Sequence, residues 1–261
     1  MAVGIIDTHA HLTFDALSGD VPGVLQRCAR AGVSHVITVG TDVADSRRAV
    51  ALAARYDNVS AVAGIHPHEA ANVVTGAYDA LRELLDRPQV VAVGEIGLDY
   101  FYDHSDRASQ HEAFEAQLEI ARDFDLPVVI HSREAIGDAV AVLHRSGYDG
   151  RRVVFHCFTG TADEARLLAD HGWRISFTGV VTFRKSEVLQ TIARDYPADR
   201  LMLESDAPFL SPEPVRNIRP NEPAHVRYTA EFLARLRGEP LEELIARTTR
   251  NAEAFFGLST L

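Results

Sequence analysis

The sequence predicts a (β/α)8 TIM barrel, an α/β fold, and three observations lead there. Eight apolar, strand-like runs recur along the chain. Between them lie stretches such as "DSRRAVALAARYD", "QHEAFEAQLEIARDFD" and "EARLLADHG", with apolar residues at three- and four-residue spacing, several closing on Gly as helix ends do. Strands alternating with helices imply a parallel sheet, and a chain of 261 residues has the length for eight such units in a single domain spanning 1–261. A doubly wound open sheet is the alternative topology.

In chain order the runs are "VGIIDTH", "VSHVITVGT", "VSAVAGIHP", "VVAVGEIG", "LPVVIHS", "RVVFHCF", "WRISFTG" and "RLMLESDAP". The first turns polar at its end. Alternate residues of an extended segment share a face, so Asp7, His9 and His11 are expected to point the same way. Reading every strand to its carboxyl end matters because barrels of this fold place their sites on that face. Strand one delivers His9 and His11, strand three His66, strand four Glu95, strand five His131, strand six His156 and strand eight Asp206. The final segment, "PLEELIARTTRNAEAFFGL", reads as amphipathic helix packed on the barrel's outside.

Composition excludes several classes. A hydrophobic fraction of 46% supplies a sizeable core. No apolar run approaches the ~20 residues of a membrane helix, and the chain enters its first strand without a secretory leader, so a cytoplasmic protein with no membrane association is expected. The only cysteines, Cys28 and Cys157, offer no disulfide framework. A net charge of −11 argues against coating nucleic acid through a broad basic surface. No Gly-rich nucleotide loop and no low-complexity tract is present, and nothing points to an obligatory protein partner.

One histidine at a strand end would be an ordinary solvated residue; ligand-type side chains at six strand ends on one rim predict a metal centre. Imidazoles and carboxylates without a thiolate suit a hydrolytic Mg, Mn, Zn or Co site rather than structural zinc. The ligand count suggests two ions. His9, His11, Asp206 and Glu95 fill one site; His131, His156 and the other oxygen of Glu95 fill the second, with Glu95 bridging. Asp206 is the expected proton acceptor for an attacking water. Asp7 and Glu204, one step deeper on their strands, could orient ligands, although Glu204 equally suits a buried carboxylate paired with a cation elsewhere. His66 could touch the second ion or the substrate. Arg133 and Arg216 are candidate phosphate clamps. His68 is expected in an exposed loop; His35, His104, His111, His144, His171 and His225 are placed in helices or loops without a site role. Cys157 reads as a packed thiol and Trp173 as core.

The motifs "DTHAHL", "GIHPH", "GEIGLDY", "PVVIHSRE", "HCFTG", "ISFTGVVTF" and "ESDAPFLSP" followed by "RPNEPAHV" together resemble the TatD-like metal-dependent deoxyribonucleases, an amidohydrolase-type barrel family. They occur in the family's order and span nearly the whole chain. The resemblance implies a dinuclear, Mg-supported nuclease that shortens DNA, typically as a 3′-to-5′ exonuclease on single strands. It also implies ligands at His9, His11, Glu95, His131, His156 and Asp206, and strand ends of DNA, or RNA, as the partner. The chain departs from the family in reading ESD around Ser205, where ETD is usual, and Arg216-Asn217 where Arg-Gly is common. Rival readings are a small-molecule amidohydrolase, an aminoacyl-tRNA deacylase, and a metal-dependent binding protein, which would need a broken ligand set.

Overall fold

Val, Ile and Ala dominate the eight runs, and each forms a strand buried on both faces, as a parallel sheet covered by helices requires. The structure, a computed structural model, describes residues 3–258. Its strands are β1 (Ile5–Ala10), β2 (Val33–Val39), β3 (Val59–Ala63), β4 (Val90–Asp99), β5 (Val128–Arg133), β6 (Val153–Phe155), β7 (Arg174–Phe177) and β8 (Leu201–Leu203). The helices are α1 (Asp15–Ser18), α2 (Val21–Ala31), α3 (Val43–Ala53), α4 (Ala77–Leu85), α5 (Arg107–Asp123), α6 (Ile136–Arg145), α7 (Ala162–Asp170), α8 (Glu187–Asp195), α9 (Val226–Arg237) and α10 (Leu241–Phe256). Each strand pairs in parallel with the next from β1 to β8, and an Ala10–Ala207 bridge joins the last turn to the first strand. That closure makes the sheet a barrel and rules out the open-sheet alternative.

Helix boundaries follow local chemistry. Side-chain oxygens of Asp20, Asp42 and Asp106 accept the free N–H groups of Gly23, Asp45 and Ser109 at the starts of α2, α3 and α5. Thr161 and Glu164 cap α7 reciprocally. Gly32 ends α2 in left-handed backbone, where a side chain would be strained.

Two apolar layers hold the barrel. The larger lies between strands and helices and includes Val36, Ala61, Val128, Leu118 and Trp173. The smaller fills the interior, taking Ile6, Ile37, Val62, Ala92, Val129, Val154 and Met202 from the strands together with Phe255 and Phe256 of α10. The terminal helix thus departs from expectation. It does run against β1 and β8, but its last turn joins the interior cluster, where Phe255 and Phe256 are buried.

A candidate metal centre at the barrel mouth

The carboxyl ends of the strands bring six predicted residues into one buried cluster. His9 and His11 come from β1 and the residue after it, and their Nε2 atoms lie 3.3 Å apart. Asp206 follows β8 in a turn with φ of 52°; its N–H donates to the His9 carbonyl at 2.9 Å, and the His11 N–H donates to the Ala207 carbonyl at 2.7 Å. The seam that closes the barrel therefore also aligns these three side chains. Asp206 Oδ1 stands 3.6 Å from His11 Nε2 and 4.0 Å from His9 Nε2.

Glu95 lies within β4 and faces two ways. Its Oε2 is 3.4 Å from His9 Nε2 and 4.0 Å from His11 Nε2. Its Oε1 is 2.7 Å from His131 Nδ1, 2.6 Å from His156 Nε2 and 3.4 Å from His66 Nε2. His66 thus joins the cluster on the His131 side. Close backbone packing permits this convergence: a Cβ on Gly97 of β4 would lie 2.1 Å from the His131 carbonyl, and its φ of 137° is also one that favours glycine.

The donor set fits divalent cations. Two nitrogens about 2.0–2.1 Å from a tetrahedral ion stand roughly 3.3 Å apart, the His9–His11 spacing, and imidazole with carboxylate is hydrolytic-metal chemistry. Protonation also favours the carboxylate side of such a site. Burial alone would raise the Glu95 pKa, but the imidazoles of His156, His66, His9 and His131 hold it well below the usual carboxylate range. Asp206 is likewise held down against burial, chiefly by His11. Against the same burial, Glu95 and Glu204 push the His156 pKa well up, and Asp99 and Glu95 raise that of His131. Burial wins at His66, which falls to about 4, and at His9, which also falls.

A second ring of groups supports the first. Asp7, fully buried, accepts the Ser205 N–H at 2.8 Å and the His9 N–H at 3.3 Å, and burial raises its pKa to about 8. It therefore grips the backbone at β1 and β8. β1 carries register irregularities on both sides of Asp7, so strict alternation does not describe this strand. Glu204 accepts from the Cys157 N–H at 2.5 Å and the Ser176 hydroxyl at 2.6 Å, and its Oε1 sits 3.4 Å from His156 Nδ1. Of its two readings, the structure places it beside a candidate ligand.

Asp99 is the residue the sequence reading missed. It is fully buried at the end of β4, and its two oxygens divide their partners: Oδ2 lies 2.9 Å from His131 Nε2 and 3.0 Å from His68 Nε2, whereas Oδ1 accepts the N–H groups of Phe101 and Tyr102 at 3.0 and 2.8 Å. His68 is accordingly not a free loop residue but packed against Asp99. The available signal was the strand period, which carries β4 from Glu95 through Gly97 to Asp99. His35 also differs from expectation: it lies inside β2, buried, with Nε2 2.9 Å from the Ser60 hydroxyl. The Cys157 thiol sits 3.7 Å from the Thr178 hydroxyl, its pKa pushed well up by burial, and Trp173 is fully buried.

The two arginines stay outside the cluster. Arg133 ends β5 with its guanidinium 4.4 Å from the Phe101 ring centroid and 5.1 Å from that of Tyr102. Arg216 lies in the long loop after β8, 3.9 Å from the Phe183 ring centroid and 3.7 Å from Glu213 Oε1. The neighbouring Ser205 Oγ accepts the Ala207 N–H at 3.1 Å, and the buried Asn221 amide ties the loop to the Ser205 and Phe209 carbonyls.

A closed (β/α)8 barrel whose mouth gathers buried imidazoles around a shared carboxylate defines the class of metal-dependent hydrolases. Residues 6–257 match the family described as TatD related DNase. The chain is 36% identical over 255 residues to the uncharacterized metal-dependent hydrolase YabD of Bacillus subtilis (strain 168), covering 98% of this chain and 100% of that protein. It is 39% identical over 260 residues to the 3'-5' ssDNA/RNA exonuclease TatD of Edwardsiella piscicida, covering 98% and 100%. The crystal structure of YJJV, a TatD homolog from Escherichia coli K12, superposes with a TM-score of 0.93 at 31% identity, covering 99% of this chain and 100% of that one. The chain belongs to the TatD-related DNase family of metal-dependent hydrolases. Among the described residues, no helix is long and apolar enough to cross a membrane.

Proposed function

We propose that the protein removes nucleotides from the 3′ ends of single-stranded DNA, and of RNA, by phosphodiester hydrolysis at two divalent ions. The observation that carries this reading is the division of Glu95: each oxygen faces its own group of imidazoles, so one carboxylate serves two sites. His9, His11, Asp206 and Glu95 would hold one ion, and His131, His156 and Glu95 the other, with His66 at its edge. Magnesium is the proposed physiological metal, with Mn, Zn or Co also suited to these donors. When bound, the ions supply Lewis acidity toward a phosphoryl oxygen and acidify water.

The chain's own residues do the rest. Asp206, kept ionised beside His11, accepts the proton of the water that attacks phosphorus. The bond from phosphorus to the 3′ oxygen of the preceding nucleotide breaks, a 5′-mononucleotide leaves, and the freed oxygen takes up a proton as the new 3′ hydroxyl. Arg133 and Arg216, on rim segments, steady flanking phosphates. Asp7 and Glu204 keep the ligand-bearing turns in place. The similarity to TatD exonucleases supports the polarity and the substrate class.

The test is metal-stripped protein, with each divalent ion restored in turn, against labelled single-stranded DNA, RNA, charged tRNA and a small phosphodiester. A descending ladder from the 3′ end, blocked by a 3′ cap and indifferent to a 5′ cap, is expected. Inactivity on every DNA and RNA end, with deacylation of charged tRNA, would overturn the reading.

A further inference from the structure

We infer that Phe101, Tyr102 and Arg133 form a binding subsite for an unstacked nucleobase and its phosphate beside the metal centre; this rests on the nuclease reading above. Aromatic rings of this size are ordinarily buried, yet Phe101 and Tyr102 are 52% and 49% exposed. They stand directly after β4, at the rim where the candidate ligands converge, with their N–H groups fixed by Asp99. His104 stacks on Tyr102 at 5.5 Å and 8° between planes, and His68 meets both rings edge-on at 4.6 and 5.6 Å. This cluster is contiguous with His131, whose ring centroid is 6.0 Å from that of His68.

Three physical arguments select a base as the occupant. A flat ring presents a face on which any base stacks, whatever its sequence, and with His104 stacked on Tyr102 the half-exposed Phe101 ring is the principal such surface. The guanidinium of Arg133 is held over these rings, and its donors suit a phosphate in a way that an apolar ligand would not need. The charge balance is the third: with 26 basic against 37 acidic residues, the chain lacks the surplus for a long phosphate-tracking groove, so stacking must carry affinity that basic proteins draw from the backbone. Fixing the loop by Asp99 also lowers the ordering cost of binding.

The experiment pairs protein and substrate deletions. Single-stranded DNA oligonucleotides carry one abasic residue at the terminal, second or third position from the 3′ end. Each is compared with the unmodified strand on wild type, Phe101→Ala/Tyr102→Ala, Phe101→Leu/Tyr102→Leu and Tyr102→Phe, reading KM and kcat separately. Base–aromatic stacking of ~1–3 kcal/mol corresponds to a rise in KM of about 5-fold or more. Wild type should show that rise for one abasic position. The Ala and Leu pairs should show it on the unmodified strand and no further rise on the abasic one, while Tyr102→Phe keeps low KM. Hydrolysis by wild type with no abasic position mattering would overturn the subsite and leave the nuclease reading intact. A variant effect that persists undiminished on every abasic strand would do the same. Wild type without hydrolysis of any strand would overturn both.

Discussion

At the scale of single residues, the site depends on which groups keep or give up protons. Asp206 is held ionised by His11, His9 and His156, so Asp206→Asn preserves shape but removes the proposed proton acceptor. Turnover is expected to fall by ~10²-fold or more, the usual scale of general-base action, with strand binding less affected. Near-normal kcat at saturating metal would remove Asp206 from that role. His35, far along β2 from the chemistry, gives a cleaner titration. Burial pushes its imidazole down to about 4, whereas in the unfolded chain it takes up a proton near the ordinary histidine value of 6.5. Its contribution to stability is therefore complete above pH 6.5 and lost as pH falls toward 4, at about 1.4 kcal/mol per unit. Denaturant melts of wild type against His35→Gln should converge through that window as acidity increases. A constant difference from pH 7 to pH 4 would contradict the assignment.

At the scale of elements, the interior plug is the feature most open to mutation. Phe255 is fully buried in the barrel interior at the end remote from the ligands, so Phe255→Ala should cost about 3–5 kcal/mol with kcat of the folded enzyme retained. A loss below ~1 kcal/mol in urea melts would show that α10 does not plug the barrel. The pattern of what was legible follows from range. Strands and helices are written in local periodicity, and ligands at strand ends can be read once a barrel is assumed. Asp99 could not be placed so easily, because its importance lies in contacts with His131 and His68, both more than thirty residues away in sequence. The plug was misread for a related reason: an amphipathic pattern says that a face is buried but not what buries it. His35 lies within the strand-like run "VSHVITVGT", but the sequence carries no sign of the Ser60 hydroxyl on β3 that partners this buried imidazole.

For the whole molecule, metal and fold are joined at the seam. His9 lies in β1, and His11 and Asp206 just beyond β1 and β8, at the seam closed by the bonds from His11 to Ala207 and from Asp206 to His9. A bound ion would clamp both sides of that seam. Chelated protein is expected to melt at a lower temperature than metal-restored protein, with the midpoint rising as free metal increases; at 100-fold excess over Kd the gain is about 2.7 kcal/mol. Glu95→Ala should lower metal stoichiometry by elemental analysis more than His9→Ala or His156→Ala, each of which weakens one site. Wild-type stoichiometry in Glu95→Ala would contradict the shared-carboxylate arrangement.

The divided carboxylate of Asp99 has a further consequence, one of reciprocity. One oxygen steadies His131, and the other anchors the backbone of Phe101 and Tyr102. Any strand that settles on those rings and any cation that recruits His131 thus pull on a single rigid group. Thermodynamic linkage then requires that the factor by which metal tightens strand binding equals the factor by which strand tightens metal binding. Titrating each ligand in the presence and absence of the other, with a non-hydrolysable strand, should return one common factor above unity. Asp99→Asn should bring that factor toward unity by uncoupling the two partners, and a factor unchanged by the substitution would place the communication elsewhere.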